Sequence, residues 1–144
     1  MDSVLKDLVL KNEYLEIKKY LNNNDLPLES INEFLFKYLV QVKQNDISFL
    51  LYEHFNLINN KNIMLEIISG CVEFSNIKAF DFYFNNYKDN LTKNDIIFIF
   101  EKVAFLHEKH FKIFIKLMNF YDVDYITYDK NYTVLNYLIL SRNA

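Results

Sequence analysis

Apolar residues recur along this chain at helical spacing, and the same stretch of pattern comes round several times. Segments 16–21, 46–51, 76–81 and 110–115 align. Each begins around an apolar anchor, Ile17, Ile47, Ile77 or Phe111, followed three positions later by Tyr20, Leu50, Phe80 or Phe114, the next site on the same helix face. The anchors stand 30, 30 and 34 residues apart. Twelve positions before them come Leu5, Leu35, Leu65 and Ile99. Eight before come Val9, Leu39, Ser69 and Val103, and seven before come Leu10, Val40, Gly70 and Ala104. Those offsets predict a first helix ahead of each anchor helix. Short polar turns join the two, at Lys11-Asn12-Glu13, Lys43-Gln44-Asn45, Glu73-Phe74-Ser75 and His107-Glu108-Lys109. The four anchors are expected to be equally buried.

Polar, Asn-rich loops at 22–25, 59–62 and 87–90 separate the units. Pro27 stands in the first of them, where a helix must stop. Ser30 or Asn32, and Asn94 or Asp95, are the expected caps of the helices that follow. The predicted fold is therefore all-α, an α-solenoid of stacked helix-turn-helix repeats, with about four and a half repeats. The 144 residues form one domain on this reading, with repeats at 2–29, 30–61, 62–93, 94–130 and a partial one at 131–144. Composition agrees with a folded helical chain: 51% of residues are hydrophobic, 24% are charged, and there is one Gly and one Pro. Sheet proteins need many tight turns that Gly and Pro supply. Asn tolerates the left-handed backbone better than most residues and takes over that work here.

The period matches that of ankyrin and TPR repeats, and TPR helices need small Ala and Gly residues that this chain does not supply. Near the C-terminus Asp122-Val123-Asp124 resembles the Ala-Asp-Val-Asn close of an ankyrin second helix. The stretch 129–139 resembles the family's Asp, Gly, then Thr-Pro-Leu-His. Thr133 and Leu135 match directly, Asn136 stands at the His position, Asn131 at the turn Gly, and Val134 replaces the Pro. Glu16-Ile17 and Asp46-Ile47 resemble the Glu-Ile-Val opening of the second helix. The chain thus resembles a divergent ankyrin-repeat array, with the turn glycines absent. The resemblance implies protein binding and no catalytic residues.

Net charge is −3 with no dense Lys/Arg run, which removes the electrostatic footprint of a nucleic-acid partner. No apolar run reaches the roughly 18 residues of a membrane span, and the N-terminus lacks a signal-peptide pattern. Cys71 is alone, which excludes an internal disulfide and fits a reducing compartment. A cytoplasmic, intracellular protein is expected. The excess of Ile, Asn, Lys, Phe and Tyr suggests an AT-rich genome, such as a large DNA virus or a parasite that meets a host cell.

Chemistry is thinly represented. His107 and His110 are three apart, one short of the His-Glu-x-x-His zinc spacing, and read as turn residues. Cys71 follows Gly70 at the place of a packed small residue, with no base beside it in sequence. No catalytic, cofactor or metal residue is expected. The expected function is a non-enzymatic protein–protein interaction module, with another protein as partner. Loops carry recognition more often than cores do, and Tyr is enriched at interface centres. Tyr125 and Tyr128, with Asp25, Lys61, Asp89 and Lys93 on the loop edge, are the expected partner-binding residues. The alternative is a compact bundle resembling the viral Bcl-2-like proteins, holding a partner helix in an apolar groove, with residues 96–106 as its central helix.

Overall fold

A computed structural model describes residues 2–31 and 33–104. Among these the chain is all helical, and no strand occurs. Its α-helices are α1 (Ser3–Leu10), α2 (Tyr14–Asn23), α3 (Glu33–Gln41), α4 (Asn45–His54), α5 (Lys61–Glu73), α6 (Ile77–Tyr87) and α7 (Lys93–Ala104). Short 3₁₀ turns, Leu28–Ser30, Leu57–Asn59 and Lys88–Asn90, follow α2, α4 and α6. The order helix, helix, 3₁₀ turn thus comes three times before α7. The chain divides into two compact units, Met1–Gly70 and Cys71–Ala144, with the division inside α5.

One backbone device closes the first helix of each of the three described pairs. Asn12, Lys43 and Ser75 each adopt a positive φ, of 56°, 60° and 54°. Their amides donate three residues back, to the carbonyls of Val9, Val40 and Val72 at 3.0, 3.3 and 3.2 Å. The next amides, of Glu13, Gln44 and Asn76, donate five back, to Leu8, Leu39 and Cys71 at 3.2, 2.9 and 2.9 Å. This is the double-bonded left-handed C-cap, which satisfies the orphan carbonyls of a helix end and reverses the chain. No glycine serves it here.

These turn residues lie 31 and 32 apart, and that spacing corrects the anchor register. Counted from each turn, Leu5, Phe36 and Ile68 stand seven before, and Val9, Val40 and Val72 three before. Ile17, Ser48 and Phe80 stand five after, and Leu21, Tyr52 and Phe84 nine after. All twelve are buried. Ile17 therefore corresponds to Ser48 and Phe80, and not to Ile47 and Ile77. Ile47 is buried beside Ser48, but Ile77 opens α6 and is only half-buried. At Ile77 the slip is three residues, nearly one helical turn, and at Ile47 it is one residue between two buried neighbours, so an apolar pattern alone tolerated both. Phe111 lies outside the described residues.

The caps differ from expectation too. Ser30 ends a 3₁₀ turn, and its carbonyl accepts from the Asp2 amide at 2.9 Å. Asn32 is outside the described residues. Asp95 does not cap α7. Thr92 does, its Oγ1 accepting from the Asp95 amide at 3.2 Å while the Asp95 carboxylate accepts from the Thr92 amide at 2.8 Å. That reciprocal pair is a capping box. Asp2, Asn60 and Asn76 cap α1, α5 and α6 by accepting from Leu5, Ile63 and Ala79; such caps contribute about 1 kcal/mol each.

In the first unit α1 packs on α2, α3 on α4, and α2 on α4. An ion pair of 3.7 Å, Lys37 to Glu66, joins α3 to α5. In the second unit Phe80 and Phe84 stack one turn apart on α6, with ring centroids 5.1 Å apart.

Candidate functional site

The expected recognition residues divide between the described part of the chain and the rest. Asp25 is exposed in the loop after α2, and Lys61 is exposed at the first residue of α5. Both belong to the first unit. In the second, Asp89 is exposed within the 3₁₀ turn after α6, and Lys93 is exposed at the first residue of α7. Asp25 and Asp89 thus stand between helices, and Lys61 and Lys93 at the start of the helix that follows. Tyr125 and Tyr128 lie outside the described residues, as do His107 and His110.

Sequence reasoning missed a second set. Leu10, Tyr14, Leu15 and Val42 are the large apolar side chains left exposed at the tight turns of the first unit. Leu10 ends α1, Tyr14 and Leu15 open α2, and Val42 follows α3. Leu15 is 77% exposed. Its signal was present: it stands two residues before the buried Ile17, off the stripe that Ile17 and Leu21 define. Among the loop segments Ile58 is the comparable residue.

The chemically capable side chains are placed as follows. Cys71 is fully buried in α5 and free. Burial pushes its thiol well above the ordinary range, so it stays protonated and unreactive in the folded protein. His54 is exposed at the end of α4, edge-on to Phe55 at 4.9 Å. Ser69 is buried with its hydroxyl unpartnered. Among the described residues no three His, Cys, Asp or Glu side chains gather to hold a metal ion, and no helix is long and apolar enough to cross a membrane.

A polar assembly that ties separate elements together centres on Asp2. Its amide donates to Ser30, and its carboxylate accepts the Leu5 amide at 2.8 Å. The Tyr20 hydroxyl of α2 lies 3.2 Å from each carboxylate oxygen. Desolvation, then the bond to Asp2 and its charge, raise the Tyr20 hydroxyl above its ordinary pKa. The assembly fastens α1, α2 and the first 3₁₀ turn. Comparison with family models, with curated proteins and with solved structures finds no match.

Proposed function

We propose that this chain is a non-enzymatic protein-interaction module, a stack of ankyrin-like helix pairs that holds a partner protein on its edge. The observation that carries the reading is the thrice-repeated left-handed C-cap at Asn12, Lys43 and Ser75, 31 and 32 residues apart, close to the period of about 33 residues of ankyrin units. A helix pair this short cannot bury its apolar face alone, so pairs of this kind stack and share a core. Segments between pairs then lie free at one edge. Asp25 and Lys61 in the first unit and Asp89 and Lys93 in the second, all exposed, are the proposed contact residues, together with Tyr125 and Tyr128 from the sequence pattern. The AT-rich composition favours a virus or parasite protein that engages a host protein.

The exposure of Leu10, Tyr14, Leu15 and Val42 favours a second place for the partner, the tight-turn edge. One experiment separates the two. The chain is used to capture a partner from host lysate, and that partner is then tested against three variants of confirmed helix content. Tyr125→Ala plus Tyr128→Ala disables the loop edge, Leu15→Ser plus Val42→Ser the turn edge, and Lys18→Glu plus Lys112→Glu the outer helix face. Loss of the partner in the first variant alone supports the loop edge. Loss in the third alone overturns both. Small-angle scattering tests the architecture: a radius of gyration of the about 14–15 Å of a compact chain of this length speaks for the Bcl-2-like bundle.

A further inference from the structure

We propose that the tight-turn edge of the first unit receives a basic amphipathic helix of the partner protein. The proposal deepens the second placement given above and rests on it. Hydrogen bonds define the two ends of that unit. The Asp2 amide donates to the Ser30 carbonyl at 2.9 Å, and the Tyr20 hydroxyl bonds the Asp2 carboxylate. The start of α1, the last part of α2 and the approach to α3 therefore meet at one end. Helices α1 and α2 pack together, α4 packs on both α2 and α3, and the four have 8, 10, 9 and 10 residues in chain order. Near-equal lengths carry the turns at Asn12 and Lys43 to the opposite end.

The two ends treat apolar side chains differently. At the loop end Leu21, Ile31 and Leu57 are buried, and Ile58 is exposed. At the turn end Leu10, Leu15 and Val42 are 52%, 77% and 42% exposed, with Tyr14 beside them at 37%. Apolar side chains scattered singly over a surface need no partner, but a group of them rimmed by charge marks a contact surface.

The rim selects the occupant. The Lys11 ammonium is engaged by the Asp7 carboxylate at 3.0 Å. That leaves Lys43 facing an excess of acids, Glu13, Glu16 and Asp46, all exposed. A second copy would bring these carboxylates against their own kind, and an anionic lipid surface would be repelled by them. No strand edge occurs among the described residues, which removes strand addition as a mode of capture. The occupant that fits is a helix with apolar side chains for Leu15 and Val42 and with Lys or Arg on its flanks for Glu13, Glu16 and Asp46. The exposed acids steer and select it, while the apolar contacts hold it.

The test uses two synthetic helices of about 18 residues, long enough to fold alone. Both carry leucines along one face, flanked by lysines in one probe and by glutamates in the other. Titrated with the full chain, the labelled lysine probe is expected to bind about tenfold more tightly than the glutamate probe, and less tightly as salt rises. Leu15→Ser plus Val42→Ser should weaken it by about tenfold. Glu13→Lys plus Asp46→Lys should erase the preference between probes, with helix content unchanged in both variants by circular dichroism. No binding, binding indifferent to both variants, or a glutamate probe that binds equally well overturns the proposal. So does a native chain that doubles its mass in sedimentation equilibrium and is made single by Leu15→Ser plus Val42→Ser, since a second copy is then the occupant. Co-sedimentation of the native chain with phosphatidylcholine–phosphatidylserine vesicles overturns it in favour of lipid. The partner captured from lysate separates the two failures. A partner lost in Leu15→Ser plus Val42→Ser but not displaced by the lysine probe leaves the turn edge standing and removes the basic helix. A partner indifferent to that variant removes the edge itself.

Discussion

The Lys43 amide donates to the Val40 carbonyl across 3.3 Å while Lys43 itself sits at φ 60°. The hydrogen bond is what the turn needs; the side chain is not. A residue with a Cβ costs about 1–2 kcal/mol in the left-handed region. Asn12 at the equivalent turn is better suited, because a short polar side chain tolerates that backbone. The chain's one glycine stands elsewhere, inside α5.

Lys43→Gly should therefore stabilise the protein by about 0.5–1 kcal/mol, the strain relieved less the extra entropy of an unfolded glycine. Lys43→Val should destabilise it, since β-branching is least compatible with this backbone. Urea midpoints decide: if Gly and Val shift the midpoint the same way, the left-handed seat is misassigned.

The corrected register orders three substitutions. Phe80→Ala removes a fully buried ring and should cost about 3–5 kcal/mol, and Ile47→Ala about 2–5 kcal/mol. Ile77→Ala, at the half-buried first residue of α6, should cost less than half as much as Ile47→Ala. Equal losses at Ile47 and Ile77 in chemical denaturation would restore the register of equally spaced isoleucines.

Two neighbours in α5 predict stabilisation. The Ser69 hydroxyl is buried without a hydrogen-bond partner, and an unmet polar group costs about 1–3 kcal/mol. Ser69→Ala should raise stability by about 1 kcal/mol. A Cβ on Gly70 would meet only the Lys37 Cγ at 3.9 Å, ordinary contact distance. Gly70→Ala should add about 0.5–1 kcal/mol through helix propensity. A loss of melting temperature in both variants would mean that the site holds a bound water or a tighter neighbour.

Tyr20 gives the protein an alkaline limit. Its folded-state pKa is raised above the ordinary 10.0 by desolvation and by the Asp2 carboxylate, so folding favours the neutral hydroxyl. That contribution is complete below the unfolded-state value and is lost as pH rises through the folded one. Stability measured between about pH 8 and pH 11 should fall more gently in Tyr20→Phe than in the native chain. Parallel slopes would show that the Asp2 bond contributes nothing to folding.

The period-three-to-four apolar pattern, the near absence of Gly and Pro, and the polar loops determined from sequence alone the all-helical class seen in the described residues. Helix class follows from such patterns because it depends on neighbours along the chain. The exact alignment of one pair with the next does not. Ile17, Ile47 and Ile77 share a residue type, but burial is decided by where the left-handed turn residue falls. That seat is filled by Asn12, Lys43 and Ser75, three types with no common signature. The exposure of Asp25, Lys61, Asp89 and Lys93 was legible, because polar residues in loops and at helix starts cost little to solvate. Tertiary packing alone showed that Leu15 and Val4 are bare while Ser48 and Asn76 are buried. Whether a side chain meets water depends on which helix covers it, and no local pattern records that.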